Sequence, residues 1–391
     1  MNKNISTFLP FVILIGSVHI MAQRGIPPKE VVKITHTTNY PEHLDFLPEM
    51  AALLKVPDGW KVSVAASGLG KPRMLYYTPQ GDLYVTRRDA GDVLLLKDSN
   101  GDGQFDDIKT VVAEFKGVHG ITMKDRFLYV CNNNELRRYK VSQDGTLTDK
   151  EMLFNDMPSA GQHPNRTMDF GPDGKLYISI GTLCNDCKES DREAASLVQV
   201  DPVTWKRTIY ASGLRNMIGF DWHPQTKELW GMDNGGDAKG DDWPPEEPNH
   251  IREGRNYGYP FAYAKKEVDA TREDPAGNSK EKWAESTEPS VMEFQAHMAP
   301  IGFRFFPDGT PYSGQAIVNW HGSWNRSKPV GFKVQKVTFS NGRPIAAEDF
   351  MTGFLKGKAR FGRPAGVAIA QSGTVYISDD ANGVIYSIKK N

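Results

Sequence analysis

The stretch MDFGPDGKLYISIG, residues 168–181, decides the fold. Apolar and polar residues alternate on both sides of a Pro-Asp-Gly turn, which is typical of a β-hairpin with one buried face. Similar stretches recur along the chain, so the sequence predicts a repeated hairpin. The six copies begin at Leu75, Ile121, Met168, Phe220, Phe303 and Val367.

The spacing of these copies favours a closed ring of small sheets. Successive copies start 46, 47, 52, 83 and 64 residues apart, and most are followed by another short apolar run. A period near 45–50 residues with three or four strands per unit is typical of a β-propeller, in which each sheet buries its faces against its neighbours. We therefore predict an all-β, six-bladed β-propeller. A β-sandwich or two stacked β domains are the alternatives.

The two ends of the sequence predict how the ring closes and where the protein is localised. The lone strand WKVSVAA, residues 60–66, precedes the first copy, and we expect it to pair with the C-terminal blade as its outer strand. Residues 1–22 contain the short apolar run FLPFVILIGSVHIMA and resemble a signal peptide; a retained membrane anchor is the alternative. The expected organisation is a signal peptide at 1–22, an N-terminal extension at 23–58 and a propeller at 59–391, with a long loop insertion at about 238–300. We expect a periplasmic or secreted protein without stable membrane insertion.

Composition excludes several classes of function. The 47 basic and 48 acidic residues balance, which argues against a nucleic-acid partner or a polybasic membrane patch. The chain has three cysteines, and Cys184 and Cys187 form the motif CNDC. In an oxidising compartment this motif favours a local disulfide. A c-type haem site would need a histidine where Lys188 stands.

Propeller topology predicts that the segment before each hairpin and the loop after it share one rim. These segments concentrate arginine and histidine, and a ring of fixed cations suits a compact polyanion because arginine binds carboxylates bidentately. Taken singly, each residue could instead be an ion-pair partner between blades or a core histidine. The candidates are His119, His163, Arg166, Arg215, Asn216, His297, His321, Arg326, Arg360 and Arg363.

Two loops have oxygen-rich patterns that suit calcium. In DSNGDGQFDD, residues 98–107, Asp98, Asn100, Asp102 and Asp106 take the spacing of a calcium loop, but the twelfth position is Lys109 where a glutamate is usual. The alternative is an acidic turn between blades, and any calcium here would be structural.

The second loop, MDNGGDAKGDDWPPEE at residues 232–247, lies on the predicted rim. Adjacent glycines expose backbone carbonyls, which are hard ligands for Ca²⁺. We therefore predict a metal site at Gly235, Gly236 and Asp237, with a flexible acidic loop as the alternative. The aromatic residues of the insertion that follows would suit a lid or wall that holds a sugar ring.

Several motifs, in the same order, resemble those of the glucose/sorbosone dehydrogenase family. They are HPNRTMDFGPDGKLYISIGTLCNDC (163–187), GLRNMIGFDWHPQTKELWGMDNGGD (213–237), HGSWNRSKPVGFKV (321–334) and FGRPAGVAIAQSGTVYISDD (361–380). The resemblance covers roughly residues 57–390 and is closest to the aldose sugar dehydrogenase and L-sorbosone dehydrogenase-like branch. Members of this family are soluble six-bladed propellers that use pyrroloquinoline quinone (PQQ) and Ca²⁺.

The resemblance implies a role for each rim residue. His163 matches the catalytic base, Arg215 matches the residue beside the quinone oxygens, and the carbonyls of Gly235 and Gly236 match ligands of the calcium that polarises PQQ. The positions expected to contact the cofactor are His119, Arg166, Asn216, His321, Arg326, Arg360 and Arg363. This chain has NGGDAKGDD where related sequences often carry a proline or charged residue near Gly236, which bears on metal affinity.

The expected function is therefore an exported dehydrogenase, dependent on PQQ and Ca²⁺, that oxidises an aldose or a sugar aldehyde. Hydride would pass to PQQ and the electrons would then leave to an unidentified acceptor. Two alternatives stay open: a Ca²⁺-dependent lactonase-type hydrolase on a similar propeller, and a non-catalytic glycan-binding propeller. The residues do not indicate which sugar is the substrate.

Overall fold

The structure is a computed structural model that describes residues 31–159 and 161–391. The predicted signal peptide at 1–22 lies outside the described residues. In the described ranges the helices are a short 3-10 helix at Pro48–Leu53 and α1 at Lys280–Glu285, and neither is long and apolar enough to cross a bilayer.

Strands dominate the described chain, as predicted. In chain order they are β1 Glu42–His43, β2 Trp60–Ala66, β3 Leu75–Tyr77, β4 Leu83–Arg87, β5 Asp92–Lys97, β6 Asp107–Val112, β7 Gly120–Lys124, β8 Phe127–Cys131, β9 Leu136–Val141, β10 Leu147–Phe154, β11 Arg166–Phe170, β12 Leu176–Ile180, β13 Ser196–Val200, β14 Arg207–Ser212, β15 Met217–Trp222, β16 Leu229–Asp233, β17 Glu247–Ile251, β18 Ala262–Tyr263, β19 Glu267–Val268, β20 Pro300–Phe305, β21 Ala316–Trp320, β22 Lys333–Ser340, β23 Arg343–Met351, β24 Leu355–Lys356, β25 Ala359–Arg360, β26 Pro364–Ile369, β27 Val375–Asp379 and β28 Val384–Lys390.

Most strands belong to antiparallel sheets that follow one another along the chain. Their orders are β3-β4-β5-β6, β7-β8-β9-β10, β11-β12-β13-β14, β15-β16-β17, β20-β21-β22-β23 and β26-β27-β28-β2. The first strands contact one another in the order β3, β7, β11, β15, β20 and β26, and β26 contacts β3. This arrangement is typical of a β-propeller, with the first strand of each sheet nearest the centre.

The six hairpins predicted from the sequence are all present, each formed by the first two strands of a sheet. In the hairpin of residues 168–181, the turn brings the N–H of Gly171 to the carbonyl of Lys175 at 2.8 Å. Gly174 closes this turn at φ 79°, a left-handed conformation that glycine adopts without steric cost. Local turn chemistry and alternation therefore specify the repeating unit.

β2, the first strand in the chain to join one of the six successive sheets, pairs with the last strand of the chain. β2 lies antiparallel to β28, with a register that runs from Trp60 opposite Lys390 to Ala66 opposite Ile385. The last sheet is thus assembled from both ends of the described chain.

The core consists of apolar layers between neighbouring sheets. One layer joins Trp230 of β16, Phe303 of β20 and Trp320 of β21, and all three are buried. Burying one large apolar side chain stabilises a fold by about 1.5–3 kcal/mol. These layers therefore hold the rim segments on a rigid support.

The segment at 238–300 is not wholly an excursion from the sheets. β17, at Glu247–Ile251, pairs along its length with β16 and so supplies the third strand of its sheet. The remainder forms the small sheet β18-β19 and the helix α1, whose N-cap Ser279 accepts a hydrogen bond from the N–H of Lys282. The sequence alternation of β17 is weak because Glu247 and Asn249 are both buried there.

Candidate active site

Two adjoining cavities open on the rim where the sequence concentrates arginine and histidine. The first, named here the histidine cavity, has a volume of about 260 Å³, and the second, the arginine cavity, about 410 Å³. Arg73, His321 and Arg363 line both. Other walls of the histidine cavity are His163, Arg215, Asn216, Gly235, Asp237, Glu246, His297 and Trp324. Other walls of the arginine cavity are His43, Lys71, Arg88, Asp89, Arg360 and Asp380.

The walls come from the segments that the topology brings to one rim. His163 and Arg215 precede the inner strands β11 and β15, Arg363 precedes β26, and His321 follows β21. Residues far apart in the sequence therefore share one cavity because every sheet presents the same pair of loops to the same rim.

His163 is held in one tautomer by Thr182. Its Nδ1 lies 2.6 Å from the hydroxyl oxygen of Thr182 and 3.1 Å from the Thr182 carbonyl. The carbonyl can only accept, and the Thr182 hydroxyl donates its own proton to the carbonyl of Cys184 at 2.5 Å. Nδ1 must therefore donate, which leaves Nε2 as an unprotonated acceptor.

The surroundings of His163 also keep the ring neutral. Burial, and next the positive charge of Arg215, lower its pKa to about 3. Gly181 permits the close approach of this loop, since a Cβ there would lie 2.7 Å from Cβ of His163. At neutral pH the imidazole is thus an available proton acceptor.

Arg215 is fixed by contacts on every side. Its backbone N–H and that of Asn216 donate to the buried carboxylate of Asp233 at 2.8 and 2.7 Å. Its guanidinium donates to the carbonyl and side-chain oxygens of Asn185 at 2.9 and 2.7 Å, and to Asp237 at 3.0 Å. The guanidinium is therefore preorganised beside the cavity rather than free to swing.

Hard oxygen donors gather beside this guanidinium. Gly235, Asp237 and Glu246 line the cavity, and the Glu246 carboxylate accepts the N–H groups of Gly235 and Ala299, each at 2.9 Å. Burial raises the pKa of Glu246 to about 8. Carbonyl and carboxylate oxygens are the ligand set that Ca²⁺ prefers.

Asp380 organises the wall that the two cavities share. Its carboxylate pairs with the guanidinium of Arg73 and accepts from Nε2 of His321 at 2.8 Å. Burial opposes ionisation of Asp380, but its interactions with His321 and with the Arg73 guanidinium hold its pKa below the usual range. Burial and the charge of Arg363 lower the pKa of His321 to about 3. A neutral His321 then donates through Nε2 and leaves Nδ1 without a proton.

Sequence reasoning missed Arg73, Thr182, Glu246 and Asp380. Arg73 lies two residues before the first hairpin, and Asp380 directly follows the last one, so both occupy the same rim positions as the predicted residues. Thr182 follows the second strand of the third hairpin in the same way. Glu246 does not stand next to one of the repeated hairpins. It lies in the irregular segment before β17, where the sequence has no periodic pattern to indicate a site residue.

Three of the residues expected to contact the cofactor, His119, Arg166 and Arg326, do not line the histidine cavity or the arginine cavity. His119 is fully buried, and its ring lies between Nε of Arg73 at 3.4 Å and the carbonyl of Arg166 at 3.1 Å. Arg166 is also fully buried and donates to the carbonyls of His163 and Pro158. Arg326 pairs with Asp242 at 3.2 Å. None of the three lines either cavity, because each guanidinium or ring is directed at protein groups that hold the rim loops.

The loop at 98–107 satisfies its oxygens within itself. Asp98 accepts the N–H groups of Gly101, Asp102 and Gly103, and Asp106 accepts from the N–H and hydroxyl of Ser99. Asn100 accepts from the N–H of Asp102 at 2.9 Å. These are the contacts of a self-contained acidic turn, and calcium binding at this loop stays a prediction.

The predicted local disulfide is present between Cys184 and Cys187. In the part of the chain that the structure describes, the one group of three clustered metal-ligating side chains comprises these two cysteines and Glu189. Because both thiols are bonded to each other, the group is a structural link near Thr182 rather than a metal site.

Comparison with known proteins gives a consistent result. A family model described as TrAA12-like matches residues 54–391. A pyrroloquinoline quinone-dependent sugar dehydrogenase of Hypocrea jecorina is 21% identical over 394 residues, covering 85% of this chain and 89% of that protein. An uncharacterized protein of Borreliella burgdorferi is 28% identical over 360 residues, covering 87% and 92%.

Solved structures share the fold. A calcium structure of the Trichoderma reesei enzyme of carbohydrate-active family AA12 superimposes with a TM-score of 0.76 at 21% identity, covering 93% of this chain and 99% of that one. The holo form of the pyranose dehydrogenase PQQ domain of Coprinopsis cinerea gives 0.75 at 20% identity, covering 86% and 97%.

Proposed function

Because the chain belongs to the TrAA12-like family, we propose that it is a PQQ-dependent dehydrogenase that oxidises an aldose or a related sugar aldehyde. The relatives named as PQQ-dependent sugar and pyranose dehydrogenases support this assignment. The observation that carries it is the single cavity in which a neutral His163, a fixed Arg215 and the oxygens around Gly235 meet.

The fold on which this proposal rests is a six-bladed propeller closed by its N-terminal strand. The six consecutive sheets, the circular order of contacts among their first strands and the pairing of β2 with β28 support it. The channel mouth then lies at the two cavities. We further propose that residues 59–391 form this propeller with an inserted segment near 238–300, and that the protein is exported.

The walls of the cavities fit a tricarboxylate quinone. Arg73, Arg215 and Arg363 line the histidine cavity, and Lys71, Arg88 and Arg360 extend the positive charge into the arginine cavity. One guanidinium nitrogen of Arg360, Nη1, is buried without a hydrogen-bond partner, so an anionic group there would satisfy it. Asn216 and His321 complete the set that would hold PQQ.

Calcium would bind at the Gly235–Asp237 loop. The candidate donors are the backbone carbonyls of Gly235 and Gly236 together with the Asp237 and Glu246 carboxylates, all of them oxygen. Gly235, Asp237 and Glu246 line the histidine cavity, and Gly236 lies between the first two in the sequence without lining it. A divalent ion there would polarise the quinone oxygens, next to the guanidinium of Arg215.

The chain's own residues would prepare the substrate for oxidation. When bound, PQQ supplies a two-electron hydride acceptor. Nε2 of His163 would accept the proton of the sugar hydroxyl while the hydrogen on the same carbon leaves as hydride, so an aldose gives its lactone. Arg215 would stabilise the negative charge that develops on the quinone oxygens.

Reconstitution tests the proposal directly. The purified protein, treated with chelator and then supplied with PQQ and CaCl₂, should bind PQQ by calorimetry and reduce a dye with an aldose panel. His163→Asn should bind PQQ as tightly and turn over at least 100-fold more slowly. Arg343→Gln, at an exposed ion pair far from the rim, is the control and should match wild type. Absence of PQQ binding, or lactone hydrolysis without PQQ, contradicts the proposal.

A further inference from the structure

The described residues before the propeller cross the rim beside the histidine cavity. The N–H of Asn39 donates to the carbonyl of Trp324 and its side chain donates to the carbonyl of Ser327, both at 2.8 Å. Farther along, β1 pairs in parallel with β25, and the N–H of Leu44 donates to the carbonyl of Arg360 at 2.8 Å. The segment 31–47, named here the strap, is therefore anchored on both sides of Tyr40. It precedes the range matched by the family model.

The anchored strap lays an aromatic ring on a wall of the cavity. The rings of Tyr40 and Trp324 are stacked, with centroids 5.9 Å apart and planes inclined by 14°. Trp324 lines the histidine cavity. Tyr40 is nevertheless 71% exposed, so the face turned away from Trp324 is open to solvent.

Hydrogen-bonding groups lie on and beside the loop that anchors the strap next to Tyr40. Ser327, which binds Asn39, also donates its N–H to Asp241 at 3.0 Å. The neighbouring Asp242 has 86% of its side chain exposed. Asn325, which follows Trp324, lines the cavity and donates to Asp237 at 2.8 Å. An exposed aromatic face binds the apolar face of a sugar ring, and carboxylate and amide groups on and beside that loop can bind sugar hydroxyls.

We propose that Tyr40, stacked on Trp324, forms a second saccharide subsite outside the histidine cavity, and that the preferred substrate is a disaccharide or longer reducing oligosaccharide. Its reducing-end ring enters the histidine cavity toward Nε2 of His163, and the next ring lies on Tyr40. The identity of the ligand as a sugar rests on the proposed function. The position and exposure of the ring do not.

Paired substrates with the same reducing ring test the subsite. Holoenzyme with PQQ and Ca²⁺ is assayed on D-glucose against cellobiose and maltose, and on D-xylose against xylobiose. Wild type should have a lower KM for at least one disaccharide than for its monosaccharide. Tyr40→Ala should raise that disaccharide KM about three- to tenfold, with kcat and the monosaccharide KM within twofold. Tyr40→Phe keeps the ring and should match wild type.

A second measurement is independent of turnover. The preferred disaccharide should bind the PQQ-free protein, as measured by saturation-transfer NMR, and Tyr40→Ala should weaken this binding while the thermal midpoint stays constant. Disaccharide binding that depends on Tyr40 in a protein that binds no PQQ would retain the subsite and reject the proposed oxidation. Equal losses on monosaccharide and disaccharide, no loss, or a wild type without preference for any disaccharide would overturn the subsite.

Discussion

At the scale of single residues, the site depends on which nitrogen of His163 is free. The chain from the Cys184 carbonyl through the Thr182 hydroxyl to Nδ1 of His163 determines the answer. The disulfide from Cys184 to Cys187 lies at the far end of this chain. In the proposed mechanism Thr182 is therefore a positioning residue, which orients His163 without contacting the substrate.

Replacing this hydroxyl should impair catalysis and leave cofactor binding intact. Thr182→Val keeps the shape of the side chain but removes one acceptor of the Nδ1 proton. We expect kcat/KM to fall about tenfold, with the PQQ dissociation constant unchanged. Thr182→Ser restores the acceptor and should recover most of the activity. A valine variant as active as wild type would contradict the assigned role.

The pH profile should report the depressed pKa of His163. A histidine at its usual pKa near 6.5 would lose its basic form as the pH falls through that value. Here burial and Arg215 lower the pKa to about 3, so the neutral form persists at every higher pH. In holoenzyme kept saturated with PQQ and Ca²⁺, where a bound ion would keep the Glu246 carboxylate ionised, we expect kcat/KM to stay level from pH 8 down to pH 5. An acid limb centred near pH 6.5 that disappears in a His163 variant would show that the ring titrates normally.

At the scale of elements, local pattern predicted the hairpins well and the segment 238–300 poorly. Alternation and turn residues specify a hairpin because its faces and its turn are set by neighbours in sequence. Glu246 and β17 follow a different logic: the buried carboxylates of Glu246 and Glu247 are satisfied by N–H groups of Gly235, Ala299 and Ala264. Such distant partners leave no periodic pattern in the sequence.

The first strands of four sheets are also joined by a charge network. Arg304 of β20 lies 2.5 Å from Asp169 of β11 and 3.5 Å from Asp221 of β15. Thr122 of β7 donates to Asp169 at 2.6 Å. Burial raises the pKa of Asp221 to about 6 even beside this guanidinium. One arginine thus neutralises carboxylates from two other sheets.

Removing that arginine should destabilise the protein. Arg304→Met keeps the length of the side chain but removes the counter-charge that Asp169 and Asp221 share. We expect the free energy of unfolding to fall by about 2–4 kcal/mol, somewhat below the usual cost of breaking a buried pair. Arg304 keeps 20% of its side chain exposed, which moderates the loss. Urea unfolding measures this, with Arg343→Met at an exposed pair as the control. Equal midpoints in the two variants would contradict the network's importance.

At the scale of the whole molecule, the site depends on several sheets together rather than on any one sheet. The histidine cavity takes walls from loops of different sheets, so its geometry is defined only when the first strands keep their circular order. Sequence periodicity predicted which loops would meet, because the strands of every repeat run in the same order and direction. Sequence periodicity could not predict the strap, because residues 31–47 are not part of the repeat. The strap is held by contacts with rim loops that are distant in sequence.

The proposed closure of the ring by β2 predicts that this strand is more important for stability than other outer strands. Val62→Pro with Ser63→Pro places proline at two successive residues, so at least one removes an N–H directed at β28. Thr208→Pro with Ile209→Pro makes the same change in β14, the outer strand of a sheet formed by consecutive strands. Both doubles lose local pairing, but only the first separates the two ends of the ring. We expect its thermal midpoint to fall at least twice as far, with loss of PQQ binding, while the β14 double retains PQQ binding. Similar midpoints and similar binding would mean that packing between neighbouring sheets holds the ring without the N-terminal strand.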